Sequence, residues 1–72
     1  MTKEQKLQRV DEYIIWIKID ENYQIMREFQ FRYQSEYIEY LDRVKWLITK
    51  NHELDDYHRN ILNKIEKLIK SK

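Results

Sequence analysis

The sequence predicts an all-α fold, a small antiparallel helical bundle, and three observations lead to this prediction. Two stripes of apolar residues recur at every third or fourth position, the spacing that places side chains on one helix face. Glycine and proline are absent from the 72 residues, so the chain lacks the residues that tight hairpin turns prefer. No linker or internal repeat is visible, and residues 1–72 are expected to form a single helical domain.

The first helix is predicted over about residues 3–19. It begins after Thr2, and Gln5 lies at the spacing of a capping box, in which each side chain accepts a hydrogen bond from the other residue's backbone N–H. A helical stripe follows, formed by Leu7, Val10, Ile14 and Ile17. Residues 13–19 are apolar on nearly all sides, which suits either a buried helix or a strand.

The middle of the chain carries the longest stripe. Its members follow steps of three or four residues and fall within an arc of about 80° on a helical wheel. They are Met26, Phe29, Tyr33, Tyr37, Tyr40, Val44 and Leu47. Aromatic residues at helical spacing most often belong to a core, so these side chains are expected to be buried.

Two alternatives apply to this middle segment. Three of its aromatic residues also alternate with polar ones, so a β-hairpin of residues 13–19 against 28–34 competes with the helix, although it would have to turn without glycine. A helix over 21–50 matches the periodicity better. Acidic residues precede basic ones within 36–50, which indicates a new helix start. The helix is therefore either continuous or broken near Ser35, which would act as a cap.

The last helix is predicted over about residues 52–70, with Asn51 as its N-cap. One apolar face is formed by Leu54, Tyr57, Ile61, Leu62, Ile65, Leu68 and Ile69. Acidic side chains lie in the first turns and lysines in the last ones, which complements the helix macrodipole. Three helices then form an antiparallel bundle. The alternative is one helix over 3–50 in a long hairpin that dimerises into a four-helix bundle.

Small size predicts self-association. A chain this short buries about 60% of its unfolded surface, and its core supplies only a few kcal/mol. Cysteine is absent, so no disulfide can add stability. Oligomerisation is the remaining means of stabilisation, and a homodimer is expected.

Glycine, alanine and proline, which use GC-rich codons, are absent from the sequence. Their absence points to an AT-rich bacterial, archaeal or phage genome.

Charge and hydropathy indicate the binding partners and the cellular location to expect. The net charge is +1 although 38% of residues are charged, so no long-range field attracts nucleic acid or an anionic membrane. The longest purely apolar run, residues 14–17, is far shorter than the roughly 20 residues of a membrane span. The polar N-terminus lacks the apolar region of a signal peptide. The expected location is the cytoplasm.

The sequence predicts no enzyme, no cofactor and no metal site. His52 and Glu53 resemble the start of the zinc motif H-E-x-x-H, but His58 follows six residues later, about 240° around a helix. Its expected role is that of a partly buried, hydrogen-bonded histidine at the edge of the core. Nucleophilic catalysis needs a hydroxyl or thiol with a base and an oxyanion hole. Among the hydroxyl residues, Thr2 and Ser71 lie at the termini and Ser35 is better explained as a cap. A glycine-rich phosphate loop is excluded.

Three apolar residues do not fit the middle stripe. Phe31, Ile38 and Trp46 fall about 180° to 260° around the helical wheel from Phe29, among charged side chains. One interpretation is a second buried face covered by the outer helices. The other is an exposed apolar strip that binds a partner protein, for which tryptophan is a typical anchor.

A second candidate surface lies opposite the apolar stripe of the last helix. Asn60, Asn63, Lys67 and Lys70 share it, with Lys64 beside them. Asparagine reads adenine edges and lysine contacts phosphates, as in a DNA recognition helix. The same pattern is also typical of an ordinary solvated face. The sequence thus favours a non-catalytic protein-interaction module, a small regulator or inhibitor. The alternative is a DNA-binding transcriptional regulator.

Overall fold

A computed structural model describes residues 2–71, and the described chain is helical and contains no strand. The helices are α1 (Lys3–Lys18), α2 (Asp20–Met26), α3 (Gln34–Thr49) and α4 (Asp56–Lys70). The all-α prediction is confirmed. The predicted count of three helices was wrong, because residues 27–33 divide the middle helix into α2 and α3, and no helix runs over 3–50. None of these helices has the length and hydropathy of a membrane span.

The start of α1 is fixed by the predicted capping box. The hydroxyl of Thr2 accepts a hydrogen bond from the Gln5 N–H at 3.2 Å, and the Thr2 N–H donates to Gln5 Oε1 at 3.0 Å. Two of the four N–H groups that a helix start leaves unpaired are the usual targets of such bonds. The predicted N-terminus of the first helix is therefore confirmed at residue level.

The end of α1 depends on two amide side chains that lie outside it. Ile19 is extended and separates α1 from α2. Asn22, which is buried, donates from Nδ2 to the Trp16 carbonyl at 2.9 Å, and Gln34 donates from Nε2 to the Ile17 carbonyl at 2.9 Å. Helix ends leave carbonyls without intrahelical partners. These two bonds satisfy such carbonyls and join α1 to both neighbouring helices.

Tyr37 explains why residues 27–33 leave the helical path. Its ring is fully buried, and its hydroxyl donates to the Met26 carbonyl at 2.5 Å. The same oxygen accepts from the N–H groups of Gln30 at 3.2 Å and Phe31 at 3.4 Å. These bonds replace backbone bonds that a continuous helix would have made. The buried Tyr37 side chain thus supplies hydrogen-bond partners for backbone groups in and beside this non-helical segment.

The start of α3 lies close to the predicted break but does not use the predicted cap. Tyr33 is the N-cap residue, and its N–H donates to Glu36 Oε1 at 3.3 Å. Ser35 lies inside the first turn and is exposed. Of the two alternatives for the middle segment, the structure shows the break near Ser35 and not the continuous helix, whereas the assignment of Ser35 as the cap was wrong.

The middle stripe is only partly a core. Met26, Tyr37, Tyr40 and Val44 are buried, and Leu47 is half-buried. Phe29 and Tyr33 are 43% and 61% exposed. Both lie in the non-helical 27–33 segment, so the helical spacing that predicted their burial does not apply there. Their assignment to the core was wrong.

The core lies mainly between α1 and α3, which run antiparallel. Lys3 Nζ donates to the Thr49 carbonyl at 3.2 Å, and Lys45 pairs with Asp11 at 2.6 Å, so the start of α1 lies beside the end of α3. The buried apolar side chains form one cluster: Val10, Tyr13, Ile14, Trp16, Ile17, Met26, Tyr37, Tyr40, Leu41, Val44, Ile48, Ile61 and Ile65. The last two belong to α4, which packs its apolar face on the other helices.

The end of α3 is a Schellman motif. Asn51 has a φ of 61°, and its N–H donates to the Ile48 carbonyl at 3.0 Å. The N–H of His52 donates to the Leu47 carbonyl at 2.9 Å. The prediction that Asn51 caps the last helix was wrong, because it ends α3 instead. The N-cap of α4 is Asp55, whose carboxylate accepts from the backbone N–H three residues later at 3.1 Å.

Candidate functional site

The structure does not bring the three predicted partner-binding residues onto one helix face. Phe31 lies before α3, half-buried, with its ring 5.0 Å from that of Tyr37 and 5.3 Å from that of Tyr40. Ile38 is half-buried and packs against the core. Trp46 is 54% exposed. Partner binding by these residues stays a prediction, and Trp46 is the member with most of its surface available.

Trp46 is held on the outer face of α3. It lies nine residues after the buried Tyr37, about 180° around the helix. Its ring stacks on that of His52, with centroids 5.8 Å apart and planes inclined by 21°. The Schellman motif at Asn51 turns the chain and places His52 there. The stack orients the indole while leaving more than half of the side chain accessible.

His52 also lines a groove of about 650 Å³, here called the basic groove. It lies between α1, the connection that follows α3, and α4. Its floor is apolar and consists of Val10, Tyr13, Ile48, Leu54 and Leu62. Its charged rim consists of Lys3, Lys6, Arg9, Glu53, Arg59 and Glu66. The exposed indole of Trp46 and the basic groove are therefore neighbours through one histidine.

Positive charge predominates on the rim. The four cations exceed the two carboxylates by two charges, more than the net charge of +1 carried by the whole chain. Glu66 is already paired, with Arg9 at 3.2 Å and with Lys70 at 3.1 Å. Within residues 2–71 the Lys6 ammonium forms no ion pair, and Arg59 reaches Asp56 only at 3.9 Å. The basic groove therefore attracts anionic groups.

Tyr13 contributes a neutral hydroxyl to the basic groove. Burial, with the nearby Glu66 carboxylate as a second cause, raises the pKa of Tyr13 above its ordinary value. The phenol stays protonated at neutral pH and can donate or accept a hydrogen bond. It supplies a polar contact in an otherwise apolar floor.

An aromatic cluster joins α3 to α4 at one side of the core. The Tyr40 hydroxyl lies 2.9 Å from His58 Nδ1, and the two rings stack with centroids 5.6 Å apart. Burial raises the pKa of Tyr40, so its hydroxyl stays protonated at neutral pH. His58 Nε2 lies 3.9 Å from Asp55. The expected partly buried, hydrogen-bonded histidine at the core edge is confirmed.

Among the described residues, no three or more His, Asp or Glu side chains converge in a way that would hold a metal ion. The Thr49 hydroxyl donates to the Lys45 carbonyl, and the Ser71 hydroxyl donates to the Leu68 carbonyl. Such local bonds to the backbone are structural.

The predicted DNA-binding residues share an exposed side of α4: Asn60, Asn63, Lys64, Lys67 and Lys70. Two of the lysines have partners within the chain. Lys64 Nζ lies 5.6 Å from the centroid of the Phe29 ring, and Lys70 pairs with Glu66. Asn63 also lines the basic groove. DNA recognition by this face stays a prediction.

The basic groove was missed by sequence reasoning because its lining comes from three separate segments. One local signal was available. Lys3, Lys6 and Arg9 recur at every third position of α1, which places three cations along one side of that helix. The other walls follow only from the tertiary packing of α4.

Comparison of the chain with protein-family models, curated proteins and solved structures finds no match. A function is therefore inferred from the geometry of Trp46, His52 and the basic groove.

Proposed function

We propose that this chain is a non-catalytic helical protein-interaction module, a small regulator or inhibitor that acts by occupying a surface of a partner protein. The observation that supports the proposal is the exposed indole of Trp46, which stacks on His52 at the edge of the basic groove. Tryptophan is enriched among the residues that dominate binding energy. Such anchors work best beside a concave, partly apolar surface.

Exposure alone would not single out this residue. Several other large apolar side chains are exposed, with Ile15 at 65%, Ile25 at 53% and Ile19 at 52%. Isolated exposures of this kind are ordinary. Trp46 differs because its ring is pre-oriented by the stack on His52, a residue that lines the basic groove. Pre-orientation lowers the entropy lost when a side chain is immobilised in a complex.

Replacing Trp46 by Ala is expected to weaken partner binding by about 2 kcal/mol or more, which corresponds to about thirtyfold in Kd. The fold should persist, because the side chain faces away from the core. The partner is first captured from the native host and identified by mass spectrometry. The purified partner is then titrated calorimetrically against the wild type and the variant.

Ile15→Ala is the matched control for this titration. It also removes an exposed large apolar side chain, but from a part of α1 that does not line the basic groove. Its binding free energy should stay within about 0.5 kcal/mol of the wild-type value, as for surface substitutions remote from an interface. Equal losses in both variants, or unchanged binding by Trp46→Ala, would contradict the proposed role of Trp46.

We further propose that the module self-associates as a homodimer. A small core without disulfides, combined with exposed apolar side chains, favours burial between chains. Sedimentation equilibrium at micromolar concentration should then give at least twice the chain mass of 9.2 kDa. A single-chain mass, together with a thermal midpoint that does not depend on concentration, would exclude the dimer.

The competing function is DNA-binding transcriptional regulation through the exposed side of α4. The two functions predict different effects of the substitutions on binding. Affinity for duplex DNA would fall with salt by a log–log slope of about −0.9 per phosphate neutralised. Lys67→Gln would reduce that slope, whereas Trp46→Ala would not. If the chain is instead a protein-interaction module, titration with duplex DNA should show no saturable binding.

A further inference from the structure

The basic groove combines an apolar floor with a positively charged rim. Val10 and Ile48 are 2% and 7% exposed and form its deepest apolar lining, together with half-buried Leu54 and Leu62. Its volume of about 650 Å³ lies within the range of about 300–1,000 Å³ that is typical of ligand sites. This space holds a few side chains of a segment and is too small for a folded domain.

The cations on opposite walls are available to a ligand. Lys6 on α1 forms no ion pair within the described chain. Arg59 on α4 is 64% exposed and reaches only Asp56, at 3.9 Å. An exposed pair of this kind contributes little to stability and is easily exchanged for a better carboxylate partner. An anionic ligand can therefore be held from both walls without breaking a strong contact.

We propose that the basic groove binds an acidic, amphipathic segment of the partner protein, such as a helix with apolar residues on one face and carboxylates beside them. The apolar face covers the floor, and the carboxylates pair with Lys6 and Arg59. This proposal rests on the proposed function, because it specifies the chemistry of the partner surface next to Trp46. Glu53 lies on the same rim and repels carboxylates there, which restricts the register of the bound segment.

The apolar floor argues against a nucleic acid as the ligand. A phosphate backbone would pair with the rim cations but would leave Val10, Ile48 and Leu62 uncovered. Burial of apolar surface is the main favourable term in protein association, and only a ligand with apolar side chains obtains it here. Electrostatic complementarity then selects acidic segments over basic ones.

Two synthetic peptides test the proposal directly. One is an amphipathic helix former built from Leu and Glu, and the other has the same pattern with Lys in place of Glu. Fluorescence anisotropy with the labelled peptides should show saturable binding of the Leu/Glu peptide and none of the Leu/Lys peptide. A labelled oligodeoxythymidylate serves as a polyanion without apolar side chains, and it should bind more weakly than the Leu/Glu peptide.

Substitutions that reverse the charge of rim residues test whether the peptide binds in the basic groove. Lys6→Glu and Arg59→Glu should each weaken binding of the Leu/Glu peptide by about tenfold or more. Lys18→Glu is the control, because Lys18 is exposed in the last turn of α1 and does not line the basic groove. Circular dichroism establishes that each variant is folded, and Lys6→Gln replaces Lys6→Glu if the reversal impairs folding.

Several outcomes would overturn the proposal: equal affinity for both peptides, stronger binding of the oligonucleotide, or equal losses in Lys6→Glu and Lys18→Glu. The captured partner protein separates this proposal from the general function. If Trp46→Ala abolishes partner binding while Lys6→Glu and Arg59→Glu leave it unchanged, the interaction module stands and the acidic segment does not. If none of these variants affects the partner, the proposed function fails as well.

Discussion

Replacing Tyr37 by Ala is expected to lower the free energy of unfolding by about 3–5 kcal/mol, as truncation of a buried aromatic ring does. Tyr37 is fully buried and meets the Phe31 ring edge-on at 5.0 Å. Its hydroxyl also satisfies the Met26 carbonyl and two backbone N–H groups of the 27–33 segment. A core of this size rarely supplies more than about 3–5 kcal/mol in total. Chemical denaturation should therefore show a largely unfolded variant.

Tyr37→Phe separates the hydroxyl from the ring. It keeps the packing but removes the acceptor of the Gln30 and Phe31 N–H groups and one of the two donors to the Met26 carbonyl, at an expected cost of about 1–3 kcal/mol. Hydrogen exchange should accelerate at the Gln30 and Phe31 amides, which lose their acceptor. Tyr33→Phe is the control, since Tyr33 is 61% exposed. If both Phe variants unfold at the wild-type denaturant concentration, the three hydrogen bonds do not hold the segment.

Ile17→Ala is expected to cost about 2–5 kcal/mol, from lost burial and from the cavity that remains. Ile17 is fully buried near the end of α1. The side chains of Asn22 in α2 and Gln34 in α3 bind the carbonyls of Trp16 and Ile17 there. The packed interior cannot collapse fully around a missing branched side chain. Urea denaturation followed by circular dichroism measures the change, which is again comparable with the whole stability of so small a core.

Ile15→Ala gives a stringent comparison for Ile17→Ala. It makes the same chemical change two residues earlier in α1, where the side chain is 65% exposed. Its effect should stay within about 0.5 kcal/mol, as at most surface sites. Similar losses at the two positions would mean that α1 packs with a different face inward than the structure shows.

Where local chemistry decides the structure, the sequence was a good guide. Thr2 and Gln5 are three residues apart, and their reciprocal bonds involve no other element, so the start of α1 was predictable. The apolar periodicity of the last helix likewise identified the buried positions Ile61 and Ile65. The all-α class followed from such patterns together with the absence of glycine and proline.

Where distant groups decide the structure, the sequence was misleading. Phe29 and Tyr33 keep the helical spacing of their neighbours, yet Tyr37 draws the backbone before α3 out of the helix. A side chain that binds backbone groups six to eleven residues away leaves no periodic signal. Phe31 did not fit the middle stripe and was a candidate for partner binding, yet it packs against the rings of Tyr37 and Tyr40 for the same reason.

The candidate site was partly visible in advance. Trp46 was singled out because its wheel position put it among charged residues, and the structure leaves it 54% exposed. The basic groove depends on how far α4 stands from α1, which no local pattern encodes. The sequence predicts no role in partner binding for His52, which links the two features.

The left-handed conformation of Asn51 narrows the evolutionary choices at one position. It is the one residue between 2 and 71 with a positive φ, in a chain that contains no glycine. A left-handed backbone costs most side chains roughly 1–2 kcal/mol, and Asn, Asp and Gly are the residues that adopt it routinely. Divergent homologues should therefore keep one of these three after α3. A mutational scan should find this site less tolerant of substitution than other exposed positions, although its side chain is exposed.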